Sequence, residues 1–279
     1  MIAFDFAYYK PTMVEEAVKL FHDLQESGKV PYYYGGGTEF ISRARMDEVQ
    51  ADALIDLKGI PECNDLKTEQ NEIIIGSAVS LTSIADANIF PLLTEVTRSI
   101  AHRTARNKIT IGGNISSHLI YRETILPFLL ADSEVIIAEK EGLRRTSINN
   151  VYQNGIQLKD GEFIVQIVTN SKFSQYPYTH SKKTKQSTVN YPIVSLASLQ
   201  VNGQFRVALS GVCNYPFRIE KIESELNDTS NSYEKRIKNA FNHLPGSVLH
   251  DMEASEEYRK FVLNQAFMEM LIKMEGVSE

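Results

Sequence analysis

The spacing of apolar residues changes several times along the chain, and each change marks an element. Val14, Ala17, Val18, Phe21 and Leu24 recur at three- and four-residue intervals, which predicts an amphipathic helix. Thr12 and Glu15 read as a capping-box pair at its start, with Pro11 just ahead, and Gly28 is placed to end it. The period then shortens. Residues 30–34 read as a strand that runs directly into Gly35-Gly36-Gly37-Thr38-Glu39-Phe40, and two more strands are predicted at 53–57 and 73–78. Helices are expected at 81–87 and 92–102. A second glycine turn follows at 106–114, then strand-like runs at 135–138 and 163–168.

From about residue 174 the texture shifts. Runs 191–201 and 204–212 have strand length and are joined by Asn202-Gly203, a strong hairpin signal because both residues accept positive φ. Helical stretches follow near 218–226, 233–243 and 255–274; in the last, Tyr258, Phe261, Val262, Gln265, Met268 and Ile272 make an approximate stripe. The pattern is α+β, with an N-terminal region over 1–173 and a smaller sheet-and-helices region over 174–279. A chain of 279 residues with 43% hydrophobic and 23% charged residues can bury a sizeable core, so wholesale disorder is excluded. A net charge of −6 argues against a dedicated nucleic-acid binder, which needs a concentration of Lys and Arg. No apolar run is long enough for a spanning helix and the N-terminus lacks a signal-peptide pattern, so a cytoplasmic protein is expected. Cys63 and Cys213 are too few for a disulfide framework, and the scattered histidines have no i,i+4 partner, so no metal site is expected.

The two glycine turns are the candidate chemistry. Without Cβ atoms a backbone can approach a diphosphate closely, and consecutive N–H groups can form an anion-binding nest. Gly35-Gly36-Gly37-Thr38 and Thr110-Ile111-Gly112-Gly113-Asn114 both have that character, each with hydroxyl or amide flanks. The competing reading is two tight turns that merely need glycine. Neither matches a dinucleotide-binding G-x-G-x-x-G nor a P-loop, so these residues by themselves indicate a diphosphate-containing ligand and no particular reaction.

The longer motifs carry a resemblance. Residues 34–40, the run Leu54-Ile55-Asp56-Leu57-Lys58-Gly59-Ile60-Pro61-Glu62, the Arg106–Asn114 loop and the segment from Asp251 to Arg259 resemble, in order, the FAD-binding subunit of the molybdenum hydroxylases, the family that includes xanthine dehydrogenases. The resemblance implies a two-lobed FAD-binding domain of the type shared with vanillyl-alcohol oxidases and the cell-wall enoylpyruvate reductase, followed by a small C-terminal domain. FAD would lie extended between the lobes, its pyrophosphate held by both turns.

Carried over residue by residue, Gly35, Gly36, Gly37, Thr38, Glu39 and Phe40 match the first pyrophosphate loop, and Thr110, Ile111, Gly112, Gly113 and Asn114 the second. Glu123 stands where the family usually has Asp, Leu129 lies in a Leu-rich run over the flavin, and Lys182 and Tyr191 stand at the flavin edge. Asn190 and Gln186 depart there from the usual Asp and Arg. No catalytic acid, base or metal ligand is implied on this chain. The resemblance implies an electron-transfer flavoprotein subunit, most like that of a bacterial xanthine dehydrogenase in purine metabolism. A molybdopterin-binding large subunit and a [2Fe–2S] small subunit would be its partners, and NAD or another acceptor would take the electrons. The cysteine-rich insertion of one family branch is absent. A self-contained flavin oxidoreductase, a colourless nucleotide-binding module and an adaptor without ligand remain the alternatives.

Overall fold

A computed structural model describes residues 2–186 and 190–276. In chain order the elements are β1 (Ala7–Tyr9), α1 (Val14–Glu26), β2 (Pro31–Tyr34), α2 (Thr38–Arg45), β3 (Ala53–Asp56), β4 (Leu66–Glu69), β5 (Glu72–Gly76) and α3 (Leu81–Ala87). They continue with α4 (Pro91–Arg98), α5 (Arg103–Arg106), α6 (Ile111–Ile115), α7 (Ile125–Leu130), β6 (Glu134–Glu139), β7 (Gly142–Ser147), α8 (Ile148–Val151) and β8 (Phe163–Asn170). Last come β9 (Tyr178–Thr184), β10 (Pro192–Val201), β11 (Gln204–Ser210), β12 (Phe217–Arg218), α9 (Glu220–Leu226), α10 (Tyr233–Phe241) and α11 (Glu256–Glu275). Among the described residues no helix is long and apolar enough to cross a membrane. Two compact units divide the chain: Met1–Ile89 with His102–Ser117 and Ser133–Asn170, and Phe90–Ala101 with His118–Asp132 and Ser171–Glu279.

The first unit holds two sheets. One is parallel, in the order β1-β3-β2, and its central strand is buried along its whole length. Alternation along β3 explains this: Ala53 and Ile55 join the core under α1, whereas Leu54 packs with Phe40 and Ala44 of α2. The other sheet has the order β4-β5-β8-β6-β7, and Ala138, Phe163 and Val165 of its inner strands complete the α1 core. All five expected residues of the α1 stripe are buried. Its expected cap is displaced by one residue. Met13 is the N-cap and supplies no side-chain bond, while Glu16 rather than Glu15 reaches back to accept from the Thr12 N–H at 2.9 Å. The buried stripe begins at Val14, and that sets the first turn. Gly28 ends the helix as expected, at φ +79°.

Strands β4 and β7 were not legible in the apolar pattern. Both are sheet edges, and Leu66-Lys67-Thr68-Glu69 and Gly142-Leu143-Arg144-Arg145-Thr146-Ser147 are largely solvent-facing, so no alternation marks them. Gln70 and Asn71, both at positive φ, make the turn that pins β4 to β5.

In the second unit an antiparallel sheet runs β12-β11-β10-β9. Asn202 and Gly203 take φ of 53° and 78° and set the register Val201↔Gln204, as the hairpin signal predicts. Behind β10 and β11 lies a core in which α11 contributes Val262, Leu263, Ala266, Phe267, Met270, Leu271 and Met274. The expected stripe on this helix was wrong. Tyr258, Phe261 and Ile272 are more than half exposed, and of the six residues named only Val262 is buried. The helix is apolar on two sides, so periodicity could not choose a face. The face is chosen by Arg259, which is fully buried and heads the true stripe.

Candidate functional site: a cleft beside the glycine turns

A cleft of about 900 Å³ opens in the first unit, within the size range of small-molecule sites. Gly36, Thr38 and Ile41 line it from the first turn and α2, Lys58 from the turn after β3, and Ser80, Ser83, Lys108 and Thr110 from the other side. The two glycine turns, more than 70 residues apart in sequence, are in direct contact. A Cβ on Gly36 would lie 1.7 Å from the Lys108 carbonyl oxygen, and one on Gly35 would lie 2.7 Å from the Thr110 hydroxyl. Gly36 is therefore required by the protein's own loop–loop packing, whereas Gly35 faces only the end of the Thr110 side chain. Gly37 has a different reason. It is the N-cap of α2 at φ +73°, and the Tyr34 ring occupies the space a side chain would need.

The turns differ in what they offer an anion. In the second, the Ile111 N–H donates to the Val79 carbonyl, Gly112 to Ser77 and Asn114 to Thr110, each at 2.9 Å. Gly113 donates to the Thr110 hydroxyl at 3.3 Å. This segment is a capped helical turn rather than an open nest, and the expectation of a second free nest is corrected: its donors are taken by Ser77, Val79 and Thr110, which only the fold brings near. In the first turn no described residue accepts from the N–H groups of Gly36, Gly37 or Thr38, and α2 has no side-chain cap. These donors are open at the positive end of a helix.

Lys58 stands beside them and was not singled out from the sequence as a site residue. Its ammonium donates to the Gly35 carbonyl at 2.6 Å and to Asp56 Oδ1 at 2.7 Å, and it sits 4.5 Å from the centre of the Tyr34 ring. Asp56 is almost wholly buried and also accepts from the Tyr8 hydroxyl and the Lys58 N–H. Burial alone would raise the Asp56 carboxyl, but these donors outweigh it and hold the group below its usual range. The partnership pushes the Tyr8 phenol up to about 12. The only sequence signal was the position of Lys58 two residues after the strand-end Asp.

Of the remaining candidates in this unit, Phe40 and Ile111 have buried side chains; Phe40 packs its ring against Tyr32 at 5.0 Å. Glu39 is partly exposed on the first turn of α2 and Asn114 partly exposed on α6.

Glu123, Leu129, Lys182 and Tyr191 lie in the second unit. Glu123 and Lys182 form a salt bridge with each other at 2.9 Å, with side chains only 5% and 6% exposed. Lys182 is therefore no solvated loop lysine. It lies on β9 and also donates to the Ser99 carbonyl at 3.0 Å. Burial pushes the Glu123 carboxyl up, against the opposing pull of Lys182. Leu129 is buried on α7, and its carbonyl accepts from Arg218. Tyr191 is half-exposed and stacked on Tyr121, ring centres 4.5 Å apart at 14°. Tyr121 was missed because nothing in its local pattern marks it. The polar segment before Tyr191 includes residues 187–189, which lie outside the described residues.

His180 shares a strand face with Lys182 and approaches the Ser195 hydroxyl at 3.2 Å. Burial, reinforced by the Lys182 ammonium, lowers its imidazole from 6.5 to about 4. An unfolded imidazole takes up its proton near pH 6.5, so the folded state is penalised as pH falls from there toward 4. The loss is expected to reach about 2–3 kcal/mol for this partly exposed ring. Urea midpoints measured from pH 8 to 4 should fall less steeply for His180→Gln than for the parent; equal slopes would refute this.

The donor set suits the diphosphate of a dinucleotide. Two lysines and several hydroxyl and amide groups line the cleft, and among the described residues no carboxylate does. Comparison with known proteins gives this chemistry a family. The nicotinate dehydrogenase FAD-subunit of Eubacterium barkeri is 22% identical, with 76% of this chain and 72% of that one covered. The carbon monoxide dehydrogenase medium chain of Hydrogenophaga pseudoflava is 25% identical, with 81% of each chain covered. A solved structure of carbon monoxide dehydrogenase from the same organism contains a chain of the same fold, with a TM-score of 0.85, 21% identity and 96% of both chains covered. Residues 4–169, more than half of the chain, match the family described as the FAD binding domain in molybdopterin dehydrogenase, so the chain belongs to that family of FAD-binding subunits and its cofactor is FAD.

Proposed function

We infer that the chain is the electron-transfer flavoprotein subunit of a cytoplasmic molybdenum hydroxylase of the general xanthine dehydrogenase type. The observation that carries this reading is the open donor set of Gly36, Gly37 and Thr38 beside Lys58, in a cleft that no carboxylate lines among the described residues, on a chain of an FAD-binding family. Substrate would be oxidised on a molybdopterin-binding large subunit, with a [2Fe–2S] small subunit between that chain and this one. FAD, when bound, supplies the exchange of electrons between the clusters and NAD⁺ or another acceptor.

The protein's own part is binding and positioning. The first glycine turn would receive the pyrophosphate, and Thr110 to Asn114 would buttress that turn and lend the weakly held Gly113 N–H. Glu123, Leu129, Lys182 and Tyr191 are proposed as further FAD contacts, with Tyr121 backing Tyr191. In this reading the FAD-binding domain, of the vanillyl-alcohol-oxidase type, covers 1–173 and the family's C-terminal domain 174–279.

Titration of the purified chain with FAD, followed by quenching of flavin fluorescence with ADP as competitor, tests the reading. Saturable binding at one FAD per chain is expected, with ADP competing more weakly. Folded protein that binds ADP as tightly as FAD would instead favour a plain nucleotide-binding module.

A further inference from the structure

We propose that Lys58 is a direct ligand of the diphosphate, preset by Asp56, so that the anion is met by three backbone N–H groups and one fixed ammonium. This rests on the FAD reading above. An ammonium has three donors. In Lys58 one is directed to Gly35 O at 2.6 Å and one to Asp56 Oδ1 at 2.7 Å. The third has no partner among the described residues, and the side chain is 38% exposed at the wall of the cleft. Its anchor on Gly35 places the charge beside the open N–H groups of Gly36, Gly37 and Thr38.

Two features separate this lysine from an ordinary surface one. First, its position is fixed before any ligand arrives. Asp56 is tied on its other side to Tyr8, and the Tyr34 ring lies against the ammonium, so little side-chain freedom is left to lose on binding. Second, the carboxylate that fixes it is 2% exposed and does not line the cleft, so the cleft presents the cation and hides its counter-charge. Lys108 lines the same cleft but makes no comparable pair; its backbone carbonyl is engaged in packing against Gly36.

The test compares the parent chain with Lys58→Met and Asp56→Asn, using FAD, ADP, inorganic pyrophosphate and phosphate-free riboflavin at low and high salt. Lys58→Met should weaken FAD, ADP and pyrophosphate by about ten- to a hundredfold, the range of one charge-assisted hydrogen bond, and flatten their salt dependence. Riboflavin binding should stay as in the parent. Asp56→Asn keeps the cation but loosens it, so affinity should fall while the salt dependence persists.

A Lys58→Met protein that binds diphosphates like the parent would overturn the proposal. So would equal weakening of riboflavin, which would mean that Lys58 only holds the Gly35 loop in shape. If the parent binds ADP or pyrophosphate but not FAD, the FAD reading fails, and the Lys58 comparison is decided with those two probes. If it binds none of the three, both fall.

Discussion

Replacing Arg259 by alanine is expected to cost about 2–4 kcal/mol of stability, because a fully buried side chain is lost and two backbone carbonyls lose their donor. Arg259 is fully buried at the start of α11. Its Nη1 donates to the Ile193 carbonyl at 2.8 Å and to the Gly211 carbonyl at 2.7 Å, and its Nη2 pairs with Asp251. One guanidinium thus ties together the start of β10, the residue after β11 and the segment that leads into the helix. Truncation would strand two carbonyls at once and leave the solvent-facing Asp251 without its cation. Asp251 also accepts from the N–H groups of Glu253 at 2.9 Å and Ala254 at 3.2 Å, and Ser255 caps the helix. The Asp251–Arg259 motif that helped mark the family is therefore a structural clasp. Lysine at 259 should recover little, because it has no planar fork to reach two carbonyls and a carboxylate together. Denaturant melts of the full chain check this; a loss below about 1 kcal/mol for Arg259→Ala would show that the clasp is not what holds α11.

Gly36→Ala should be the most damaging small substitution in the cleft, with FAD affinity falling well over tenfold and stability by about 1–3 kcal/mol. The new Cβ would sit 1.7 Å from the backbone oxygen of Lys108, so one turn must move away from the other. That movement would displace the open N–H groups and the Gly35 carbonyl that anchors Lys58. Gly113→Ala is the informative contrast. Its Cβ would meet only the Thr110 hydroxyl, at 2.9 Å, the end of a side chain that can yield. It should therefore fold nearly as the parent does and lose far less affinity. Equal FAD affinity in Gly36→Ala and the parent would refute the idea that contact between the turns shapes the site.

The strong local signals were legible. The α1 stripe, the Asn202-Gly203 hairpin and helix α3 stand where spacing and turn chemistry placed them, because each depends on residues within one or two turns of chain. The edge strands β4 and β7 escaped because a strand with both faces in water has no pattern to read. The apolar face of α11 was misread because the helix is apolar on two sides, and the choice rests on carbonyls more than 45 residues away in sequence, at Ile193 and Gly211.

The candidate site divides in the same way. The two local glycine clusters and motif order identified both turns and the family, and with the family the cofactor. Sequence could not tell which turn keeps its donors open, since the answer lies with Ser77 and Val79 for one turn and, for the other, with the lack of an acceptor among the described residues. Nor could it pair Lys182 with Glu123, or place Lys58 on Gly35. By itself the sequence determined which residues could bind a diphosphate, through residue type and local spacing. The tertiary structure decided which of them are free to do so, because a hydrogen-bonding group is available only when no distant part of the chain has already satisfied it.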